Sequence, residues 1–395
     1  LNTLSMAPGV YWTGVLDPDL RIFDVIMKAD HGTTYNSYLV KGDKGCALIE
    51  TAKETFRDQY FQKIFSLVDP SQITHIILNH TEPDHTGSLG ALLEQVPSAT
   101  LVSSKNAVPF IKAILNRDVE IRTAGDGDTV DLGGVTLEFF QTPFLHWPDT
   151  MFTYVREREI LFPCDFLGSH FADERMFDDE VDDFTLARRH YFDHIIRPFK
   201  EYVLKALDKI RDLPIQMIAP SHGPILRTNL DKYIEDYRQW SLAPAKGKKP
   251  YAMVFYLTSY GNTKQMAEEV AHGAREAGAD VGVFDLQAAD IPAIVDEVER
   301  ADAIATGSLT INGDAVKPIW DLLSSLATLK IRGKSAVAFG SYGWSGEAVR
   351  FMEERLKGLK FRVPAEGVRA QLFPTEADLN ACRELGRKLV ESLSA

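Results

Sequence analysis

The chain has 395 residues, enough for two or three domains, because a single hydrophobic core stops growing near ~250–300 residues. Hydrophobic residues make up 45% and charged residues 25%, an ordinary globular balance that excludes a disordered chain. Lys plus Arg number 43 against 56 Asp plus Glu, a formal charge of −13, which argues against broad nucleic-acid binding. No apolar run approaches the ~18 residues of a membrane helix, and Leu1 to Val10 lacks the basic start and apolar run of a secretory signal, so neither a membrane partner nor export is expected. The three cysteines, Cys46, Cys164 and Cys382, are scattered, with no CxxC pair. That excludes a zinc ribbon, a rubredoxin-type iron site and a disulfide framework, and it fits a reducing cytoplasm. Any metal must be held by carboxylates and by some of the ten histidines.

From the N-terminus, short apolar runs predict strands at 10–15, 20–27, 34–40 and 45–50, with helical patterns at 53–67 and 88–96. Further strands read at 73–79, 135–141, 151–155 and 160–162, and a helix–strand–helix over 192–210, 215–219 and 230–240. This mixture predicts packed sheets covered by helices. The strand at 73–79 runs straight into His80-Thr-Glu82-Pro-Asp84-His85. Four ligand-type side chains on one loop can converge on a pair of cations. His146, Asp165 and His222 each follow an apolar strand as well. In a packed-sheet domain, strand-end loops on one edge gather together, so these seven residues are expected at one site. His31, His75, His170 and His272 read as structural. His190 and His194, at i and i+4, read as helix-surface packing, with a weak metal pair as the alternative.

A Pro/Gly/Lys-rich stretch, Ser241 to Pro250, reads as a linker and divides the chain into domains at 1–247 and 251–395. Beyond it, strands at 251–257, 280–285, 303–306 and 335–340 alternate with helices at 264–276, 291–299, 317–327, 347–358 and 376–393, which predicts a doubly wound parallel sheet. The first strand is followed by Thr258-Ser259-Tyr260-Gly261-Asn262-Thr263 and a helix. Hydroxyls and loop N–H groups at a helix N-terminus can cradle a phosphate. The sequence is neither a Walker A motif nor GxGxxG, so a mononucleotide is expected rather than a dinucleotide. Loops containing Ser308, Thr310, Ile311, Asn312 and Gly313, and Ser341, Tyr342, Gly343, Trp344, Ser345 and Gly346, follow the third and fourth strands. In a sheet of order 2-1-3-4-5 all three loops meet at the strand C-terminal ends. Tyr342 or Trp344 can stack on a flat ring, or be a plain surface aromatic.

Two resemblances follow from these residues. Thr258 to Thr263 resembles the flavodoxin phosphate loop, which implies FMN. His80-x-Glu82-x-Asp84-His85 resembles the metallo-β-lactamase HxHxDH motif with Glu at the second ligand. With His146-Trp-Pro-Asp, Asp165, Pro220-Ser-His222-Gly and Gly32-Thr-Thr-Tyr-Asn36, the whole chain is similar to the flavodiiron proteins. That resemblance implies an α/β chain made of an N-terminal metallo-β-lactamase-like αββα sandwich and a flavodoxin-like domain. It implies two non-haem irons per chain, one on His80, Glu82 and His146, the other on Asp84, His85 and His222, with Asp165 between them. Exchanging a His for Glu hardens the site toward redox iron and away from tetrahedral zinc. The implied activity is reduction of O₂ to water and/or of NO to N₂O, with electrons relayed through FMN. With no rubredoxin or nicotinamide motif in the chain, the donor is expected to be separate, a rubredoxin or a reduced deazaflavin. The resemblance also implies a head-to-tail homodimer or a dimer of dimers. The rival expectations are a zinc hydrolase of metallo-β-lactamase type fused to a flavodoxin module, and a non-catalytic electron carrier.

Overall fold

In a computed structural model of the chain, residues 3–243, 247–289 and 291–394 are described; the middle of the expected linker, 244–246, lies outside them. The chain divides into two compact units, Leu1–Leu242 and Ala243–Ala395.

The first unit carries a seven-stranded and a five-stranded sheet. In the first, the strand order is Leu4–Ala7, Val10–Trp12, Tyr38–Gly42, Gly45–Ile49, Ile73–Leu78, Thr100–Ser104, Ile121–Ala124. In the second it is Thr129–Asp131, Thr136–Gln141, Met151–Val155, Ile160–Phe162, Met217–Ile218. Side chains alternate between two cores. Tyr38, Val40, Ala47, Ile49 and Ile77 meet Leu137, Phe139, Met151, Val155 and Phe162 in one cluster, between the sheets. Their neighbours Leu39, Leu48, Ile76, Leu78, Phe152 and Leu161 share the other with helix residues Tyr60, Ile64, Leu92, Val203 and Leu207. The period-two alternation with both faces apolar is what an αββα sandwich demands.

Strand direction gathers the site. Thr136–Gln141 and Ile160–Phe162 are both antiparallel to Met151–Val155, and Met217–Ile218 is parallel to Ile160–Phe162. Three strands of the second sheet therefore end on the same edge. In the first sheet, Gly45–Ile49 and Ile73–Leu78 are parallel and end together. Asn79 ties the sheets at that edge: its carbonyl accepts from Met151 N–H (2.9 Å), and its side chain donates to Phe162 O (3.1 Å) and accepts from Thr153 Oγ1 (2.7 Å).

One expected helix differs. The run over 192–210 is a π-helical turn at Phe192–Ile196, a 3₁₀ turn at Arg197–Phe199 and a regular helix only from Lys200. Pro198 is the reason, since it removes an N–H and its ring clashes with the preceding turn.

The second unit has five parallel strands in the order Asp280–Asp285, Tyr251–Tyr256, Ala303–Ile311, Ser335–Tyr342, Val368–Gln371, which is 2-1-3-4-5. The third and fourth strands run longer than the sequence suggests. Ser308, Thr310 and Ile311 belong to the third, which turns at Asn312–Gly313 (φ 54° and 75°) and pairs back through Asp314–Ala315. Two successive positive φ values match the two-residue hairpin turn that Asn-Gly favours.

Candidate metal centre and flavin site

His80, Glu82, Asp84 and His85 leave the end of Ile73–Leu78, and Glu82 opens a short helical turn, Pro83–Thr86, that carries Asp84 and His85. His146, Asp165 and His222 arrive from the second sheet. The structure brings all seven together in two groups: His80, Glu82, His146 and Asp165, and Asp84, His85 and His222. Asp165 faces both. Its Oδ2 lies 3.7 Å from the Nε2 atoms of His80 and His146, and its Oδ1 lies 3.3 Å from those of His85 and His222. Glu82 Oε2 sits 3.2 Å from His80 Nε2 and 3.1 Å from His146 Nε2. Asp84 reaches His222 Nε2 at 3.2 Å and His85 Nε2 at 3.5 Å.

The backs of the imidazoles are held as well. His222 Nδ1 donates to the carbonyl of Thr34 (2.6 Å), and His80 Nδ1 donates to Asp149 Oδ2 (3.2 Å), which also accepts from Thr81 Oγ1 (2.7 Å). His85 Nδ1 lies 3.0 Å from Glu50 Oε2. A carbonyl or carboxylate behind Nδ1 keeps the hydrogen there and leaves the Nε2 lone pair facing the site. Asn36, from the Gly32–Asn36 motif, holds the His222 loop: its side chain donates to Pro220 O (2.8 Å) and Gly223 O (3.0 Å) and accepts from Trp12 Nε1 (2.8 Å). Tyr191 OH donates to Asp165 Oδ1 at 3.1 Å.

The charges are strongly coupled. Burial alone would drive the imidazolium of His80 down, but the hydrogen bonds to Asp149 and Glu82 and the nearby carboxylates raise it to about 10. For His222, burial is likewise outweighed by Asp165 and Asp84, which raise it to about 9. Burial pushes Glu82, Asp84 and Asp165 toward the neutral acid, and the facing imidazoles hold all three below the usual carboxylate range. A cleft of about 480 Å³, lined in part by Phe23, Asp24, Tyr35 and Lys53, leads to Glu82 and Asp84. Burial and then the charges of Glu82 and Asp84 push Asp24 up to about 6.

The residues fit a cation pair. Both oxygens of Asp84 and Nε2 of His85 are buried with no hydrogen-bond partner. Such atoms are costly unless something pairs them. Sequence reasoning missed Glu50 and Tyr191, and gave no role to Asp149 and Thr34 although both lie in the motifs His146-Trp-Pro-Asp and Gly32–Asn36. The other histidines separate: His170 is buried, with Nδ1 2.9 Å from Thr33 Oγ1 and its ring 5.5 Å from that of His222. The rings of His190 and His194 lie 4.0 Å apart and tilted by 33°, and among the described residues no group of three or more ligating side chains includes them.

In the second unit, Gly261 takes φ 86° at the N-terminus of helix Asn262–Glu276, a conformation open to glycine, and its N–H donates to Thr258 Oγ1 (3.0 Å). Thr263 Oγ1 pairs with Ser341 Oγ (2.8 Å), and the Ser308 hydroxyl is used within the fold, donating to Leu309 O (2.7 Å) and accepting from Val316 N–H (3.2 Å). Tyr260 and Trp344 are 90% and 82% exposed, and Tyr342 packs its ring over Gly346. Ser259, Gly343 and Ser345 lie in the same loops. The positive φ of Gly261 opens the helix N-terminus, no atom lies within 4 Å of where its Cβ would stand, and the Thr258 hydroxyl sits beside it, so the loop fits the phosphate of a mononucleotide. A further loop went unread. Leu372 N–H donates to Tyr342 O (2.7 Å), placing exposed Leu372 and Phe373 beside the Trp344 loop. The strand before it, Val368–Gln371, was too short to stand out.

Fold and site together define a metallo-β-lactamase-like metal domain joined to a flavodoxin-like domain. Residues 33–223 match the family described as ODP family beta lactamase, and residues 254–386 match flavodoxin. Over 398 residues the chain is 45% identical to the type A flavoprotein of Rhodobacter capsulatus, covering 99% of this chain and 92% of the relative. It is 37% identical to a nitric oxide reductase of Moorella thermoacetica, over 99% of each chain. Its fold aligns with rubredoxin oxygen:oxidoreductase from Desulfovibrio gigas at a TM-score of 0.73 and 28% identity, covering 100% of this chain and 99% of that one. The chain belongs to the flavodiiron, or type A flavoprotein, family.

Proposed function

We propose that this chain is a flavodiiron oxidoreductase that reduces O₂ to water and/or NO to N₂O, taking electrons through FMN from an external donor. One observation carries the reading: the two oxygens of Asp165 each face a separate group of imidazoles and carboxylates. His80, Glu82 and His146 would hold one iron, Asp84, His85 and His222 the other, and Asp165 both. Bound there, a redox-active iron pair supplies electrons and open positions to a small oxidant. The chain keeps the Nε2 lone pairs of His222 and His80 inward through Thr34 and Asp149, and Tyr191 holds a hydroxyl proton at Asp165 Oδ1. Thr258, Ser259, Tyr260, Gly261, Asn262 and Thr263 would take the FMN phosphate, and the loops through Thr310–Gly313 and Ser341–Gly346 would flank its ring. Residues 1–247 and 251–395 are the two functional domains of this reading. A separate rubredoxin is the favoured donor, with a reduced deazaflavin as the other candidate. Three free, buried cysteines suit a reducing cytoplasm.

The test is anaerobic reduction by rubredoxin or a reduced deazaflavin, followed by separate assays of O₂ and NO consumption on protein with iron and flavin quantified. Consumption of at least one gas, lost in Asp165→Ala, is expected. A preparation with two zinc ions, no iron and thioester or lactam hydrolysis would replace this reading with the hydrolase one.

A further inference from the structure

Glu50 ends the strand Gly45–Ile49 and takes a left-handed backbone, φ 61°. For a residue with a side chain this conformation is strained and persists only where the surroundings enforce it. Here they do: Glu50 N–H donates to Ile77 O (2.9 Å), and Glu50 O accepts from Ser37 Oγ (2.9 Å) and Tyr60 OH (3.2 Å). The result is a buried carboxylate, 1% exposed, pointing at the back of the metal site. Its two oxygens have different duties. Oε1 accepts the backbone N–H of Asn79 at 2.6 Å, one residue before His80. Oε2 has no hydrogen-bond donor of its own and lies 3.0 Å from Nδ1 of His85. The buried thiol of Cys164 also lies near that face of His85, 4.0 Å from Nδ1.

We infer that Glu50 is the positioning residue that keeps His85 turned inward, with its hydrogen on Nδ1 and its Nε2 lone pair toward Asp84 and Asp165, so that His85 serves as a ligand of the second metal. The inference rests on the metal-centre reading above. It explains how a histidine on a four-residue helical turn keeps its orientation. His222 is fixed by a main-chain carbonyl and His80 by Asp149, whereas for His85 the nearer of the two groups behind Nδ1 is this side chain, at 3.0 Å against 4.0 Å for the Cys164 thiol.

Glu50→Gln separates this role from simple filling of space. The variant keeps the size of the side chain but has one acceptor oxygen. Asn79 N–H needs that oxygen and has no other form. The amide NH₂ then faces Nδ1 of His85, and two donors cannot share that contact. The imidazole can answer by moving its hydrogen to Nε2, which removes the lone pair from the metal.

The experiment uses the full chain loaded with ⁵⁷Fe(II) under anaerobic conditions. It reads iron per chain, the Mössbauer doublets, and the affinity of each iron in competition with a chelator. The wild type is expected to hold two irons. In Glu50→Gln one iron should weaken by ~10–100-fold, the usual effect of losing an outer partner of a ligating histidine, while the other keeps its doublet and affinity. Glu50→Asp, which keeps the charge but withdraws it by one methylene, should weaken the same iron and serves where the Gln variant does not fold. In a His85→Ala background neither substitution should weaken the iron further. Two irons held as in the wild type by the Gln or Asp variant would overturn the inference. So would equal weakening of both irons, or an undiminished effect in the His85→Ala background. A wild-type chain that binds no iron pair would instead overturn the metal-centre reading itself.

Discussion

At the scale of single residues, the site is a set of opposite charges that hold one another in place. His80 and His222, ordinarily near 6.5, are raised to about 10 and about 9. A group raised on folding contributes stability that is full below its unfolded pKa and is lost as pH climbs through the folded one. For these two histidines the loss runs from about 6.5 up to about 9–10. Glu82, Asp84 and Asp165 are lowered, so their contribution is present above their ordinary values and fades as pH falls through the lowered ones. A chain stripped of metal by a chelator should therefore melt at a clearly lower temperature at pH 9.5 than at pH 6. Iron-loaded protein should lose less over that range, because cations take the place of the protons. Calorimetry of both forms across pH decides it; equal alkaline losses with and without iron would contradict the account. The seven facing residues were legible because each follows an apolar strand. The groups behind them were not. Glu50 meets His85 from 35 residues away and Thr34 meets His222 from 188 away, and in a sequence a strand-end Glu looks like a solvated acid.

At the scale of elements, legibility followed apolar content. Met151–Val155, Ile160–Phe162 and Asp280–Asp285 fall where their patterns end. Thr100–Ser104 and Ile121–Ala124 escaped, because their hydroxyls and Arg122 blur the period and only pairing with Ile73–Leu78 and with each other makes them strands. Another element-level feature that no periodicity reports is the contact between helices Asn262–Glu276 and Glu376–Glu391. A Cβ on Gly386 would collide with the carbonyl oxygen of Val270, and one on Gly273 with that of Arg383. Backbone atoms cannot rotate aside, so the helices must separate. Gly386→Ala is expected to destabilise the flavodoxin-like unit by ~1–3 kcal/mol, more than the ~1 kcal/mol that alanine gains over glycine in a helix. Gly358→Ala, with open space around it, is the control and should be neutral or mildly stabilising. Denaturant unfolding followed through the flavin signal measures both; an unchanged midpoint for Gly386→Ala would mean that the helices have slack.

At the scale of the molecule, the candidate metal and flavin sites belong to different compact units of one chain. Each unit presents apolar side chains around its site. On the first these are Ile22, Val25 and Ile26, on the hairpin that carries Asp24; on the second they are Tyr260, Trp344, Leu372 and Phe373. Exposed apolar groups clustered at a site mark a surface that another surface covers. The head-to-tail dimer that the family resemblance implies would set the flavin loops of one copy on the metal site of the other, and a two-fold axis would create two such pairs at once. Complementation tests that arrangement. Asp165→Ala removes the shared carboxylate but leaves the flavin loops intact. A second variant, with Thr258 and Thr263 changed to Val, spares the metal site but weakens the phosphate cradle. Each alone should be inactive with the external donor. Co-expressed so that mixed dimers form, they should recover gas consumption, because the flavin of the first chain then serves the metals of the second. If electrons pass only within one chain, no mixture of the two can work, since neither chain holds both sites. Recovery in proportion to the mixed dimer would place the functional unit across two copies, and silence in a verified mixed dimer would confine it to one.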